Sequence, residues 1–374
     1  MKGHFDLLSI RRHLANSVLP FGIIAVTYGQ AASFPHNAVS CERCHNTPSG
    51  FGCSVTTVQR TGEALDGKFV PAAEGGIRHR RGESDQHVVG RKQLVGERVS
   101  PSLLGDGYIE AIIGDDIREN VRKEREANDE IAGLTVVAPI LEANAEKQSL
   151  ETGRFGWKSQ HSSLMSSCAD SLRNELGIRN RLYPNEYSTH SANDPPTPFD
   201  SPDPNTGKTE LDRLVDEIRR TSPPAREEAI AATPVSHAGE DLFAQIGCAV
   251  CHVATYKTLP PGTKINGSTY KVPKMLGSKI IHPYSDFLLH DVGTGDGIPQ
   301  AAKPEFLDQS TANKFRTPPL WGLRFRAGLM HDGESLGPEA AIERHAGEAT
   351  KVRDRYEHLP PEQKKQLLTF LSSL

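Results

Sequence analysis

The pattern Cys-x-x-Cys-His occurs twice, with Cys41, Cys44 and His45 in S-C-E-R-C-H-N and with Cys248, Cys251 and His252 in G-C-A-V-C-H-V. Residues at i, i+3 and i+4 share one face of a helical turn. Each unit therefore sets two thiols and an imidazole side by side. Zinc is a poor explanation. Paired zinc knuckles of one site sit ~15–20 residues apart, and these units are separated by about two hundred. Zinc also gives no reason for a histidine after each second cysteine. A thiol–disulfide switch fails on the same point and lacks a strand–helix setting. Covalent haem uses every position, because two thiols add to two vinyl groups while the histidine reaches the iron. The expectation is two c-type haems. Cys41 and Cys44 anchor the first, with His45 as proximal ligand. Cys248 and Cys251 anchor the second, with His252.

Such chemistry calls for export. Lys2, Arg11 and Arg12 begin a leader whose short apolar run, residues 18–28, ends at small residues near Ala31. The run is well short of the ~20 apolar residues a span needs. Residues 1–32 read as a signal peptide, with no stable membrane span after cleavage. The expected location is the periplasm or another exported compartment. There Cys53 and Cys168, the two cysteines outside the motifs, form either a disulfide or two unpaired thiols. A net charge of −4 excludes a case for nucleic acid.

Hydrophobic spacing gives the organisation. Residues 237–246 (HAGEDLFAQI) lead into the second motif as a helix that Ser236 can cap, and residues 361–374 (PEQKKQLLTFLSSL) close the chain as another. An anchor helix crossed by a C-terminal helix is the core of a cytochrome c domain. Residues 211–220 (LDRLVDEIRR) supply the matching closing helix earlier in the chain. The expected fold is mostly α. It has two tandem cytochrome c-like domains, residues 33–224 and 225–374, the first with long loop-rich insertions. Residues 75–100 read as a solvated basic loop, 115–130 as an exposed charged helix, and 188–208 as a loop or linker.

Four further stretches carry a resemblance: residues 105–112 (GDGYIEAI), 153–158 (GRFGWK), 283–291 (PYSDFLLHD), and 316–333 (RTPPLWGLRFRAGLMHDG) running on to 341–349 (AIERHAGEA). With both haem motifs they resemble the di-haem oxidoreductase (peroxidase) family. That family is related at a distance to bacterial di-haem cytochrome c peroxidases and to the di-haem enzyme that matures methylamine dehydrogenase. The resemblance implies peroxide reduction with electrons from a small redox protein, a cytochrome or cupredoxin. In the related peroxidases a sixth ligand follows the H-D-G histidine by fourteen residues. Here that position is His345, where they carry methionine. Bis-histidine ligation of haem two follows, with a lowered potential. Met330 is the rival ligand, and a surface histidine is the other reading of His345.

For haem one the sixth position stays open. His290 comes first, as ligand or distal acid/base, then His331 and Met165. The other reading of His290 is a structural histidine held by Asp291. Glu110, a carboxylate in an apolar run, is a candidate distal acid/base, against a helix-surface residue. Trp157 is a candidate relay between the haems, as a tryptophan is in the related enzymes, against core packing. Arg154, Lys158 and Arg316 are candidate propionate partners. The alternative functions are a non-catalytic di-haem electron-transfer cytochrome c and a di-haem enzyme that oxidises another substrate.

Overall fold

The Pro234–Gln245 helix and the Pro361–Ser373 helix cross at Gly239. A Cβ there would sit 2.0 Å from the Gln366 carbonyl oxygen, so the crossing requires glycine. Phe243 meets Phe370 edge-on beside the crossing, with 5.3 Å between ring centres. The expected helices are thus present and packed together. Thr233, rather than Ser236, caps the first of them: its hydroxyl accepts from the Ser236 N–H, and Pro234 fills the first turn.

The structure is a computed structural model and describes residues 40–47, 51–54, 56–66, 68–71, 92–127, 130–143, 149–185 and 197–374. The expected signal peptide lies outside the described residues, as does part of the 75–100 segment and of the 188–208 linker. No helix among the described residues is long and apolar enough to cross a membrane.

The Glu210–Arg220 helix starts in a capping box between Thr209 and Asp212. It buries Leu211, Leu214, Val215 and Ile218, the stripe read from the sequence. Burying each such side chain contributes about 1.5–3 kcal/mol. This helix packs on the Leu164–Leu176 helix and on the short Asp106–Glu110 helix. Gly107 makes that second approach close, because a Cβ on it would come 2.5 Å from the Arg219 carbonyl oxygen. The Gly114–Ala127 helix is the charged one expected, with Arg122 paired to both Glu119 and Glu126.

Helices account for most of the cores, but the fold also carries β-structure the sequence reading did not assign. Lys68–Pro71, Thr57–Leu65 and Lys92–Val99 form a three-stranded antiparallel sheet in that order. Residues 92–99, read as part of a basic loop, are therefore a strand, in register from Ala64 against Lys92 to Thr57 against Val99. The local reason is the segment Leu94-Val95-Gly96-Glu97-Arg98-Val99. It pairs along the Thr57–Leu65 strand, and Arg98 on it finds Asp296 at 2.7 Å and the Ile298 carbonyl at 2.9 Å.

Two large hydrophobic cores result, beside a small cluster of Ala111, Val272 and Leu276. One joins Ile109, Phe155, Leu172 and Leu211 with Tyr256, Ile281, Phe287 and Trp321, so it draws on both sides of residue 224. The other joins Leu242, Phe243, Tyr284, Leu329, Leu367 and Phe370. Each core borders one Cys-x-x-Cys-His unit.

Candidate functional site

Each motif forms a single tight turn. The His45 N–H donates to the Cys41 carbonyl at 2.9 Å, and the His252 N–H to the Cys248 carbonyl at 3.0 Å. The turn puts both cysteines and the histidine on the wall of a cavity. The first motif opens on one cavity and the second on another.

In the second cavity, the His252 Nδ1 bonds the Tyr284 carbonyl at 3.0 Å, which leaves Nε2 as its free ring nitrogen. Burial, then the charge of His345, pushes His252 down to about 4. His345 lines the same cavity, and its Nδ1 lies 2.6 Å from the Ala341 carbonyl oxygen. Burial lowers its pKa too. Two neutral imidazoles, each with Nδ1–H tied to the main chain, are the form in which histidine ligates iron. Asp332 of the H-D-G triplet holds Arg344 at 3.0 and 2.5 Å, which fixes the turn beside His345. Leu323, Leu329, Leu367 and Leu371 supply an apolar wall. Met330 also lines this cavity, at a φ of +66°.

In the first cavity, His45 keeps Nδ1 at 3.2 Å from the Gly52 carbonyl oxygen, and burial lowers its pKa. A second histidine, His161, lines this cavity and is 1% exposed. Its Nδ1 is 2.9 Å from the Ser166 hydroxyl. Its Nε2 is buried without a hydrogen-bond partner among the described residues. The nearest carboxylate, Asp170, is 3.5 Å away, an ion contact rather than a hydrogen bond. Asp106 lines the cavity as well, and burial raises its carboxyl to about 7 despite Arg316 nearby.

Trp157 and Arg316 line both cavities. The Trp157 indole N–H donates to the Val99 carbonyl at 2.6 Å, and its ring stands edge-on to Phe315 and His331. Arg316 donates through Nε to the Gly156 carbonyl at 2.8 Å, while one terminal nitrogen is buried and unpartnered.

Several expected assignments do not match these positions. His290 sits at the second cavity, not the first. Its Nε2 is 2.9 Å from Asp286 and its Nδ1 2.9 Å from Glu348, so both nitrogens are occupied by carboxylates. Burial alone would lower its pKa, but Asp286 and Cys251 raise it well above the ordinary value. A doubly bonded imidazolium offers no lone pair to a metal. His331 also lines the second cavity, stacked on Phe315 at 3.7 Å. Met165 lies outside the lining of either cavity and accepts from Arg181 at 3.3 Å. Glu110 is buried as expected but lines neither cavity. Arg219 grips both its oxygens, at 2.7 and 3.0 Å, and Asn266 and the Leu164 N–H complete its bonds. Arg154 donates to the carbonyls of Ile109, Ile112 and Thr152, and the Lys158 ammonium to those of Thr311, Ala312 and Lys314. Of the three cations, Arg316 lines the cavities and Arg154 and Lys158 do not. Cys53 and Cys168 are separate buried thiols, not a disulfide. The Cys53 thiol is committed to the Thr47 carbonyl at 3.4 Å.

The donors present in each cavity fit a haem: two thiols three apart, a histidine directly after the second, and a shared cation with a spare N–H. The sequence reading passed over His161 and Asp106. His161 lies in Lys158-Ser159-Gln160-His161-Ser162-Ser163, a polar run that looks solvated. All six residues are buried. The only sequence signal was its closeness to Trp157, four positions earlier.

A family profile described as "Di-haem oxidoreductase, putative peroxidase" matches residues 78–374. The first Cys-x-x-Cys-His unit precedes that span. Among solved structures, the chain is similar to hydrazine synthase of Kuenenia stuttgartiensis, at 16% identity and a TM-score of 0.44, over 95% of this chain and 89% of that one. It is also similar to a MauG-like protein associated with microbial copper homeostasis, at 21% identity and a TM-score of 0.27, over 44% of this chain and 55% of that one. No curated protein matches the chain.

Proposed function

The chain belongs to the di-haem oxidoreductase family, and on that premise we propose that it is an exported, periplasmic c-type enzyme that reduces peroxide with electrons from a small redox protein. In this reading Cys41 and Cys44 hold one haem through thioether bonds, and Cys248 and Cys251 the other. His45 and His252 are the proximal ligands. His345 takes the remaining position at haem two.

The observation that carries the reading is the shared wall. Trp157 and Arg316 border both cavities. Reduction of a peroxide takes two electrons, and one-electron centres must stand close enough to deliver both. Haem supplies that redox chemistry when bound. The chain's own residues do the rest. In this reading His252 and His345 would together hold the second haem's iron, and that centre would store and pass electrons. The first cavity would be the place for substrate; among the described residues no methionine lines it, and its second histidine is His161. The Trp157 ring is held between the two by the Val99 carbonyl. The unpartnered Arg316 nitrogen suits a haem propionate.

The test is stopped-flow mixing of half-reduced holoprotein with hydrogen peroxide. The haem bands are expected to reoxidise at a rate first-order in peroxide. Trp157→Phe should slow electron passage between the centres about tenfold, about 1.4 kcal/mol in barrier, with haem content unchanged. A holoprotein inert to peroxide in every redox state would contradict the reading and leave a di-haem electron carrier.

A further inference from the structure

With Glu110 and His290 both away from the first cavity, neither candidate from the sequence can move a proton on a molecule bound there. We propose that His161 is the acid–base residue of the first cavity, and that its Nε2 handles the peroxide proton. The proposal rests on the peroxidase reading above and names the residue that would perform its central proton transfer.

Four observations converge. His161 lines the cavity that His45 also lines. It is almost fully buried, so its ring is held rather than solvated. The Ser166 hydroxyl at 2.9 Å fixes Nδ1 and thereby the ring plane. Nε2 is a buried polar atom with no hydrogen-bond partner among the described residues. An unpaired buried polar atom is costly to maintain. A site that maintains one is built to pair it with something that comes and goes. The Asp170 carboxylate stands 3.5 Å from Nε2, an ion contact that leaves Nε2 without a hydrogen bond. The support is regular: Ser163 caps the Leu164–Leu176 helix, and that helix carries both Ser166 and Asp170.

The step balances as follows. Nε2 takes the proton from the peroxide oxygen that stays and returns it to the oxygen that leaves. The O–O bond breaks and the leaving oxygen departs as water. Two electrons, replaced one at a time by the donor protein, and two further protons convert the remaining oxygen to a second water. The sum is H2O2 + 2 H+ + 2 e− → 2 H2O. A positioned general acid–base typically contributes ~10²–10⁴-fold.

The experiment compares wild type, His161→Gln and Ser166→Ala as holoproteins. Three readouts are taken: the rate of reaction with peroxide, the rate of cyanide association, and the ferric spin state by EPR. Cyanide enters as HCN and must lose a proton, so it reports the base without turnover. His161→Gln should lower both rates by ~10²–10⁴-fold and keep a high-spin ferric signal. Ser166→Ala keeps the imidazole but frees Nδ1, and should lower both by roughly tenfold at unchanged haem content; it carries the test if His161→Gln fails to load haem. Rates within threefold of wild type in His161→Gln would overturn the proposal. So would a wild-type low-spin signal that His161→Gln turns high-spin, since His161 would then be an iron ligand. So would a wild-type first site closed to both peroxide and cyanide. A wild type that binds cyanide in a His161-dependent way yet ignores peroxide would uphold His161 as the base and remove only the peroxide reading.

Discussion

His252 and His345 line one cavity, and each gives Nδ1 to a main-chain carbonyl, of Tyr284 at 3.0 Å and of Ala341 at 2.6 Å. Two imidazoles held in this way would suit the ligation of one haem iron. His345→Met should therefore give a low-spin centre with a higher midpoint potential, by about 0.1 V, a modest part of the ~0.8 V that axial ligands span. Redox titration followed optically checks it. An unchanged potential would mean that His345 does not bind.

The Glu110–Arg219 pair predicts a separation of stability from activity. The Glu110 side chain is fully buried and Arg219 nearly so. Removing one partner of a buried pair leaves an uncompensated charge and costs about 3–5 kcal/mol. Glu110→Ala should destabilise to denaturant by that much, while the rate of peroxide reaction per intact haem stays at the wild-type value. A large loss of rate with stability intact would return Glu110 to a catalytic role.

The cysteines give a mass prediction. With Cys41, Cys44, Cys248 and Cys251 in thioether bonds, only Cys53 and Cys168 remain as thiols. Denatured holoprotein, alkylated without reduction, should gain two alkyl groups and retain the mass of two haems. No alkyl groups would indicate a Cys53–Cys168 disulfide after all. Four or six would indicate that one or both haems are not covalently held.

A pH prediction comes from the cluster around His290. Burial lowers its pKa, but Asp286 beside it lifts it well above the ordinary 6.5. A raised histidine stabilises fully below 6.5, and the contribution is lost as pH rises through the folded value. Glu124, pushed up to about 8 by burial and Asp286, acts in the same direction, since the folded state holds a proton that the unfolded state has released. Glu348, held down to about 2 because the His290 and Lys314 bonds outweigh its burial, contributes above 4.5 and loses that contribution as pH falls toward 2. Stability should peak near pH 4.5, decline above it through Glu124, and decline more steeply above 6.5 once His290 contributes. His290→Gln should flatten the alkaline decline in denaturant midpoints measured from pH 6 to 9; an equally steep decline would contradict this account.

Much of this was legible in the sequence for a physical reason. Motifs whose function lies in adjacent residues, such as Cys248, Cys251 and His252, declare themselves by spacing. So do amphipathic helices such as Glu210–Arg220, because one buried stripe fixes their phase. Contacts between distant segments do not. Glu110 lies in an apolar run of the sequence, but its Arg219 partner lies 109 residues away. His290 was read against its neighbour Asp291, whereas its carboxylates are Asp286 and Glu348. His161 was hidden because its polar run is buried, with Lys158 held by three carbonyls and Ser163 spent on a helix cap. The strand at Lys92–Val99 was hidden because its edge is satisfied by a partner some thirty residues earlier.

The central claim is that one iron accepts substrate while the other is closed by two histidines. EPR of the holoprotein, fully oxidised and then half-reduced, with and without peroxide, tests it most directly. The account predicts one low-spin signal that ignores peroxide and one high-spin ferric signal that peroxide abolishes. Two low-spin signals, unmoved by half-reduction or by peroxide, would contradict it.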